Sequence, residues 1–275
     1  MTKTEVRILK LVEMLQNHPR LDVAEVGTSL SVSEATVRRL LSRAEQDGKV
    51  IRVHGGVQLS PPFGHDYSYR RAAAFRSRQK SFIGNAASGF VHDGDRIFLD
   101  SGTTVLKLAE ALSVRIQTGS LADIVVLTNS LTHVETLASR CKVILLGGEI
   151  RVERQDVCGS LAEQNIHLFH VDRAFFGADA VNLSSGFTTT DERTSRMSEL
   201  IVARSDHSYV LIDSQKFDRS SFVTFAPVHG VDGIFTDEEL PAGVRERYEQ
   251  AGARIYIGPP DGASNGNGNG KGELR

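Results

Sequence analysis

Residues 98–112 read FLDSGTTVLKLAEAL and place a short apolar strand directly before an amphipathic helix. A turn of this kind points free backbone N–H groups and the positive end of the helix dipole at one spot. That spot attracts an anion, most simply a phosphate. Ser and Thr are also common as plain helix N-caps, so the turn alone leaves both interpretations open. The turn consists of Asp100, Ser101, Gly102, Thr103 and Thr104.

Strands and helices alternate on both sides of this turn. Continuous Val, Ile and Leu runs between helices are typical of a largely parallel sheet covered on both faces. The runs predict strands at 96–100, 124–128, 142–147, 172–177, 208–213, 232–236 and 254–257, and helices at 71–91, 104–112, 131–139, 191–204 and 241–251.

The first 58 residues have a different pattern. Helical spacing predicts three helices at 4–17, 22–30 and 34–46, and alternating residues around Gly55-Gly56 predict a hairpin at 49–59. This order is typical of a winged helix-turn-helix, whose third helix enters the DNA major groove. Candidate DNA contacts are Ser33, Glu34, Thr36, Arg38, Arg39 and Arg43 on that helix, and Arg52 and His54 on the wing. The alternative is a small assembly module whose arginines form a solvated face.

Individual residues in this part of the chain predict where its helices begin and which side chains are buried. Asp22 is the expected N-cap of the second helix. Ser31-x-x-Glu34 fits a capping box at the start of the third, with Ser33 as the other candidate cap. Leu40 and Leu41 are expected to pack inward.

These patterns divide the chain into four parts. Residues 1–58 form the winged helix-turn-helix, with the helix-turn-helix itself at about 20–39, and a turn-rich linker covers 59–74. The α/β domain covers 75–258. The Gly- and Asn-rich tail at 259–275 has nothing to bury and is expected to be disordered.

Composition excludes several classes of protein. The net charge is −2, yet residues 1–58 carry nine Lys and Arg against seven Asp and Glu, which permits DNA binding by this part alone. The two cysteines lack metal-site or disulfide spacing, so no metal or cofactor is expected. There is neither an apolar run long enough to span a membrane nor a secretory signal, and we expect a cytoplasmic protein.

The stretch SVSEATVRRLLSRAEQDGKVIRVHGG at 31–56 resembles the helix-turn-helix and wing of DeoR-type bacterial transcriptional regulators. One position departs from the family pattern, because Leu40 stands where the family has Asp, which leaves the base preference open. The positions that match are Val32, Ser33, Thr36, Arg38, Arg39, Gly48, Arg52, His54, Gly55 and Gly56.

The resemblance extends over roughly residues 3–240, through DSGTT, VVLTNSL, VILLGG, RAFFGADAV, GFTTTDE and LIDSQKF in family order. It implies a sensor domain similar to ribose-phosphate and glucosamine-phosphate isomerases, which binds a phosphorylated sugar. The 100–104 turn then becomes a phosphate cradle, joined at the carboxyl ends of neighbouring strands by further candidates. These are Thr128, Asn129, Ser130, Gly147, Gly148, Gly177, Asp179 and Lys216. Ser198 stands near a position where the family often has Lys, so the ligand itself stays open.

The leading interpretation is therefore a repressor of a carbohydrate operon, working as a dimer or tetramer on double-stranded operator DNA. The alternative is a cytoplasmic sugar-phosphate isomerase with an accessory N-terminal domain. Isomerisation needs a base to move a proton. By resemblance, Phe176 and Ala180 stand where such isomerases carry carboxylates, so we expect binding without turnover and no catalytic residue. A third interpretation, assembly alone, does not explain Arg38, Arg39 and Arg52.

Overall fold

The computed structural model describes residues 3–18, 20–46, 49–53, 56–59 and 67–258. The chain divides into two compact units. The first comprises residues 1–79 with 151–155, and the second comprises 80–150 with 156–275. The predictions for Gly48, His54, Gly55 and the tail at 259–275 lie outside the described residues.

The first unit contains the predicted three helices and hairpin. They are α1 (Lys3–Asn17), α2 (Val23–Leu30), α3 (Glu34–Gln46), β1 (Val50–Val53) and β2 (Gly56–Leu59). The two strands are antiparallel. Val57 also exchanges backbone hydrogen bonds with Leu21, at 2.8 and 3.1 Å, which ties the wing to the start of α2. The unit is therefore a winged helix-turn-helix.

The predicted capping box lies at a different helix. Asp22 and Glu25 form it at the start of α2, each accepting the other's backbone N–H at 2.7 Å. The prediction for Ser31 was wrong, because Ser31 is the left-handed C-cap of α2, with φ 52°. Its backbone N–H closes α2, so the residue ends one helix rather than starting the next.

An apolar core holds these elements together. Leu11 of α1 and Val26 of α2 are fully buried, and Val37, Leu40 and Leu41 of α3 are at most 4% exposed. Leu40 thus points into the core, as expected. The departure from the family pattern at this position therefore changes the packing of α3 rather than its exposed face.

A short helix lies within the predicted linker. Helix α4 (Tyr69–Ala74) starts after residues 60–66, which lie outside the described residues. The predicted single helix at 71–91 is broken at Arg76, whose φ is 51°, and continues as α5 (Ser77–Ser88). Phe75 packs against the helix-turn-helix core, which gives the break a packing role.

The second unit is built on a seven-stranded parallel sheet. Its order is β14-β13-β11-β8-β3-β4-β5, and its neighbouring strands all pair in parallel. Each strand corresponds to one of the seven predicted runs. The strands are β3 (Arg96–Leu99), β4 (Val125–Thr128), β5 (Lys142–Leu145), β8 (Val171–Gly177), β11 (Ser205–Leu211), β13 (Gly233–Thr236) and β14 (Ile255–Ile257).

Apolar residues on both faces of this sheet are buried in two clusters. Alternation along the strands sends Phe98 and Phe176 to one cluster and Leu99 and Phe175 to the other. The helices are α5, α6 (Thr103–Gln117), α7 (Leu131–Leu137), α8 (Ser160–Ile166), α9 (Glu192–Val202) and α10 (Ala242–Gln250).

Several elements were not predicted. A small antiparallel sheet has the order β12-β10-β9. A separate two-stranded hairpin pairs β6 with β7. No helix of the described part is long and apolar enough to span a bilayer. The added strands are β6 (Glu149–Arg151), β7 (Asp156–Cys158), β9 (Ala180–Asn182), β10 (Gly186–Thr189) and β12 (Val223–Ala226).

Candidate functional site

One side of α3 is exposed and polar. Val37, Leu40, Leu41 and Ala44 bury the inner side, which leaves the arginines on the outer one. Arg38 lies 3.8 Å from Glu34, and both side chains are about two-thirds exposed (68% and 66%). Such a surface pair holds its members weakly, so the guanidinium can be offered to another partner. The exposed candidates are Ser33, Glu34, Arg38, Arg39 and Arg43, with Thr36 half-buried.

The start of α3 and the wing are locally ordered. Ser33 and Thr36 place their hydroxyl oxygens 3.1 Å apart, and the Nε of Arg39 donates to the carbonyl of Ala35. On β1, Arg52 is exposed and its backbone N–H donates to the carboxylate of Glu45. His54 lies outside the described residues. The exposed cations on the helix and on the wing suit contact with nucleic-acid phosphates and base edges.

The second cluster of candidates lies at the carboxyl edge of the large sheet. Asp100 follows β3, and its Oδ2 accepts the backbone N–H of Gly177, at the end of β8, at 3.2 Å. Gly102 and Gly177 face each other so closely that a Cβ on Gly102 would lie 3.3 Å from the Cα of Gly177. The structure thus brings the turn after β3 and the end of β8 together, and the carboxylate of Asp100 links them.

The pKa of Asp100 is raised to about 6, mainly by burial and to a smaller extent by the charge of Asp156. Hydrogen bonds from the backbone N–H groups of Gly177, Ser101 and Gly102 oppose this rise. Gly102 is the N-cap of α6 and provides no side-chain cap. The first N–H groups of a 15-residue helix therefore face this edge. Thr103 and Thr104, the next two residues, are buried.

The residues after β4 have internal partners. Thr128 donates its hydroxyl to the carbonyl of Leu99 at 2.6 Å. Ser130 caps α7 by accepting the N–H of His133. His133 is fully buried, and burial lowers its pKa to about 3, so its ring is neutral. Thr128 and Ser130 therefore position this edge of the sheet.

Asn129 differs from its neighbours. Its side chain is 1% exposed, and its Oδ1 has no hydrogen-bond partner within the described residues. Its Nδ2 donates to the carbonyl of Val157 at 3.5 Å. A buried, unpaired amide oxygen is costly unless a ligand or water supplies a donor. Among the candidate residues, Asn129 is thus one whose buried amide oxygen is open to a hydrogen bond from a ligand.

Asp179 and Lys216 complete the edge beyond β8. Asp179 accepts hydrogen bonds from the backbone N–H and the hydroxyl of Thr190 at 2.8 and 2.9 Å. Lys216 donates its Nζ to the carbonyl of Ala178 at 2.6 Å and lies 4.0 Å from Asp213. Its ammonium group is thus held next to the Gly177 end of β8.

Sequence reasoning missed Asp156 on β7. Its side chain is 1% exposed, and its Oδ2 accepts the hydroxyl of Ser101 at 3.2 Å. No sequence signal marks it, because it lies in a hairpin without an apolar pattern, 55 residues along the chain from Ser101. The exposed Gly147 and Gly148 lead into this hairpin, and a Cβ on Gly148 would lie 2.6 Å from the carbonyl oxygen of Cys158.

The position that resembles the first isomerase carboxylate is part of the core. Phe176 is fully buried between Phe98 and Phe225, with ring centroids at 6.0 and 6.1 Å. No group of three or more His, Cys, Asp or Glu in the described residues could hold a metal ion. Ser198 is buried on α9.

Fold and site together define a protein with a DNA-binding unit and an α/β unit that has the features of a small-molecule sensor. Two family models match the chain: the DeoR-like helix-turn-helix domain over residues 7–62 and the DeoR C-terminal sensor domain over residues 76–238. The chain belongs to the DeoR family. It is a DNA-binding transcriptional regulator rather than an enzyme.

Characterised relatives match along nearly their whole length. The repressor GlcR of Bacillus subtilis is 29% identical, over 94% of this chain and 97% of the relative. The regulator GlpR of Haloferax volcanii is 30% identical, over 90% and 96%. Among solved structures, ribose 5-phosphate isomerase A from Methanocaldococcus jannaschii is 19% identical over 51% of this chain and 54% of its own, with a TM-score of 0.39.

Proposed function

We propose that this regulator represses a carbohydrate-use operon by binding its operator through α3 and the wing. The observation that supports DNA contact is the exposed row of Arg38, Arg39 and Arg43 on a helix whose other side forms the core. A helix-turn-helix places the start of its recognition helix nearest the bases, so Ser33, Glu34 and Thr36 are proposed to read sequence. Two relatives are named as repressors, one of the aga operon of Escherichia coli O157:H7 and one of the lactose phosphotransferase system of Lactococcus lactis.

The proposed effector is a phosphorylated sugar held at the carboxyl edge of the large sheet. The N–H groups at the start of α6 favour a phosphate, and the ammonium of Lys216 supplies a positive charge at the neighbouring strand end. The single observation that supports a bound polyol most strongly is the unpaired Oδ1 of Asn129, which a sugar hydroxyl would satisfy. Asp100 and Asp179 supply further acceptors for hydroxyl groups.

Assembly and location follow from this function. Helix-turn-helix proteins read paired half-sites, so a dimer or tetramer is proposed to bind the operator. A regulator of this kind meets its DNA in the cytoplasm, which is the proposed location.

Calorimetric titration of the full chain tests the effector site. D-ribose 5-phosphate and D-glucosamine 6-phosphate are the first probes, followed by other sugar phosphates. Asn129→Ala should raise the Kd of whichever sugar phosphate binds by about tenfold, because a hydroxyl of that ligand loses its buried hydrogen-bond partner. Arg140→Ala, at the opposite end of the sheet, should leave that Kd unchanged. If no sugar phosphate binds, or if Asn129→Ala binds as tightly as wild type, the proposed site is wrong.

A further inference from the structure

The hairpin of residues 149–158, which comprises β6, its turn and β7, is joined at its base to the proposed effector site. Asp156 accepts the hydroxyl of Ser101 at 3.2 Å. The N–H of Val157 donates to the carbonyl of Asn129 at 2.8 Å, and Asp156 also forms a β-bridge with Ser130. Two turns of the proposed site are thus bonded to one strand of this hairpin.

The turn of the same hairpin belongs to the other unit. Residues 151–155 group with residues 1–79 rather than with the sheet. Within that unit, the carbonyl of Glu153 accepts the N–H of Tyr69, the first residue of α4, at 3.1 Å. The guanidinium of Arg154 lies 4.5 Å from the centroid of the Tyr67 ring, within cation–π distance. The turn therefore contacts the residues at the start of α4.

Glycines stand at both ends of the hairpin. Gly148 precedes it and packs so tightly against the carbonyl of Cys158 that a side chain would collide there. Gly159 follows it with φ 92°, a backbone conformation that other residues rarely adopt. A side chain is therefore disfavoured at both ends of the hairpin.

We propose that the 149–158 hairpin transmits effector occupancy to the DNA-binding unit, with the Ser101–Asp156 hydrogen bond as its sensing contact. This inference rests on the proposed function. A phosphate held by the turn after β3 would compete for the hydroxyl of Ser101 and would repel the buried carboxylate of Asp156, because like charges repel strongly in a poorly solvated site. The base of the hairpin then moves, and its turn displaces the segment at Tyr67 and Tyr69.

A double-mutant cycle tests this link without any sugar phosphate. Ser101→Ala, Arg154→Ala and the double variant of the full chain are titrated against a fluorescent duplex that covers the promoter of the protein's own gene. Ser101→Ala removes the sensing contact and should weaken operator binding at least threefold. In the Arg154→Ala background the same substitution should have no further effect, because the hairpin turn is already released. Non-additivity of this kind is the signature of two residues acting through one element.

A buried serine elsewhere in the sensor unit supplies the matched control. Ser88 of α5 is 7% exposed against 8% for Ser101, and its hydroxyl donates to the carbonyl of Asn85 within its own helix. Ser88→Ala should therefore leave the operator Kd at the wild-type value. Asp156→Ala is the second variant and should reproduce the effect of Ser101→Ala. Independent, multiplicative effects of Ser101→Ala and Arg154→Ala would overturn the inference, as would an effect of Ser88→Ala equal to that of Ser101→Ala. Because no effector is present, failure of every sugar phosphate to bind would count against the proposed function alone.

Discussion

At the scale of single residues, Arg38 is the side chain on which operator binding is expected to depend most. Its partner Glu34 is two-thirds exposed, so losing the pair should cost little stability. Arg38→Ala should weaken operator binding about tenfold at moderate salt, since a base or phosphate contact is worth about 1–3 kcal/mol. Fluorescence anisotropy measures the Kd, and the unfolding temperature should stay unchanged. The control is Arg140→Ala, an exposed arginine of the sensor unit. Operator affinity undiminished in Arg38→Ala would remove this residue from the interface.

The buried carboxyl group of Asp100 makes the stability of the folded chain depend on pH. Its pKa is about 6 in the folded chain, above its ordinary value of 3.8, so the native state holds a proton that the unfolded state has released between pH 4 and 6. Stability from this group is therefore present below about pH 4 and is lost as pH rises through 6. Asp100→Asn does not lose stability in this way. Its free energy of unfolding, compared with that of the wild type, should rise by up to about 3 kcal/mol between pH 4 and pH 7.

Urea unfolding of the two proteins at both pH values measures that difference. The buried, neutral ring of His133 also makes the fold less stable as pH falls below the ordinary pKa of histidine. This effect is the same in both proteins, so it cancels in the comparison. A difference between the two proteins that does not change with pH would show that Asp100 is not protonated in this range.

At the scale of elements, the contact between α5 and α6 requires a glycine. A Cβ on Gly84 would lie 2.5 Å from the carbonyl carbon of Lys107. Gly84→Ala should therefore destabilise the sensor unit by about 1–3 kcal/mol, as overpacking does. The matched control is Gly243→Ala on α10, where nothing lies within 4 Å of the added atom. It should be neutral or stabilise by up to about 1 kcal/mol. Thermal unfolding followed by circular dichroism compares the two, and equal melting temperatures would contradict the close contact.

The seven strands of the large sheet could be predicted because each is a continuous apolar run, the usual pattern of a strand buried on both faces. The hairpin at 149–158 could not be predicted, because its two strands are only three residues long and contain charged residues. The turn that brings them together has no recognisable sequence pattern. Asp156 was missed for the same reason. Phe176, which by resemblance stands at an isomerase carboxylate position, is a core residue because alternation along β8 turns its side chain inward.

At the scale of the whole molecule, the family assignment joins two activities in one chain. The first unit has exposed arginines on α3 and β1. In the second unit, several strand ends, the N-terminus of α6 and the unpaired amide oxygen of Asn129 lie at one edge of the sheet. Ligand control requires that the effector prefer one of two states of the DNA-binding unit, and the coupling between two such sites is reciprocal. Operator DNA should therefore change the affinity for the effector by the same factor as the effector changes the affinity for DNA.

Ligand-controlled DNA binding is tested most directly by an anisotropy titration of the full chain against its own promoter duplex, with and without each sugar phosphate of a small panel. We expect tight, salt-sensitive binding that one sugar phosphate shifts by about fivefold or more, a typical allosteric coupling. We also expect that the same protein converts neither ribose 5-phosphate nor glucosamine 6-phosphate. Binding no tighter than to a random duplex, or operator binding that no sugar phosphate shifts, would show that this chain is not a sugar-phosphate-controlled regulator of that promoter.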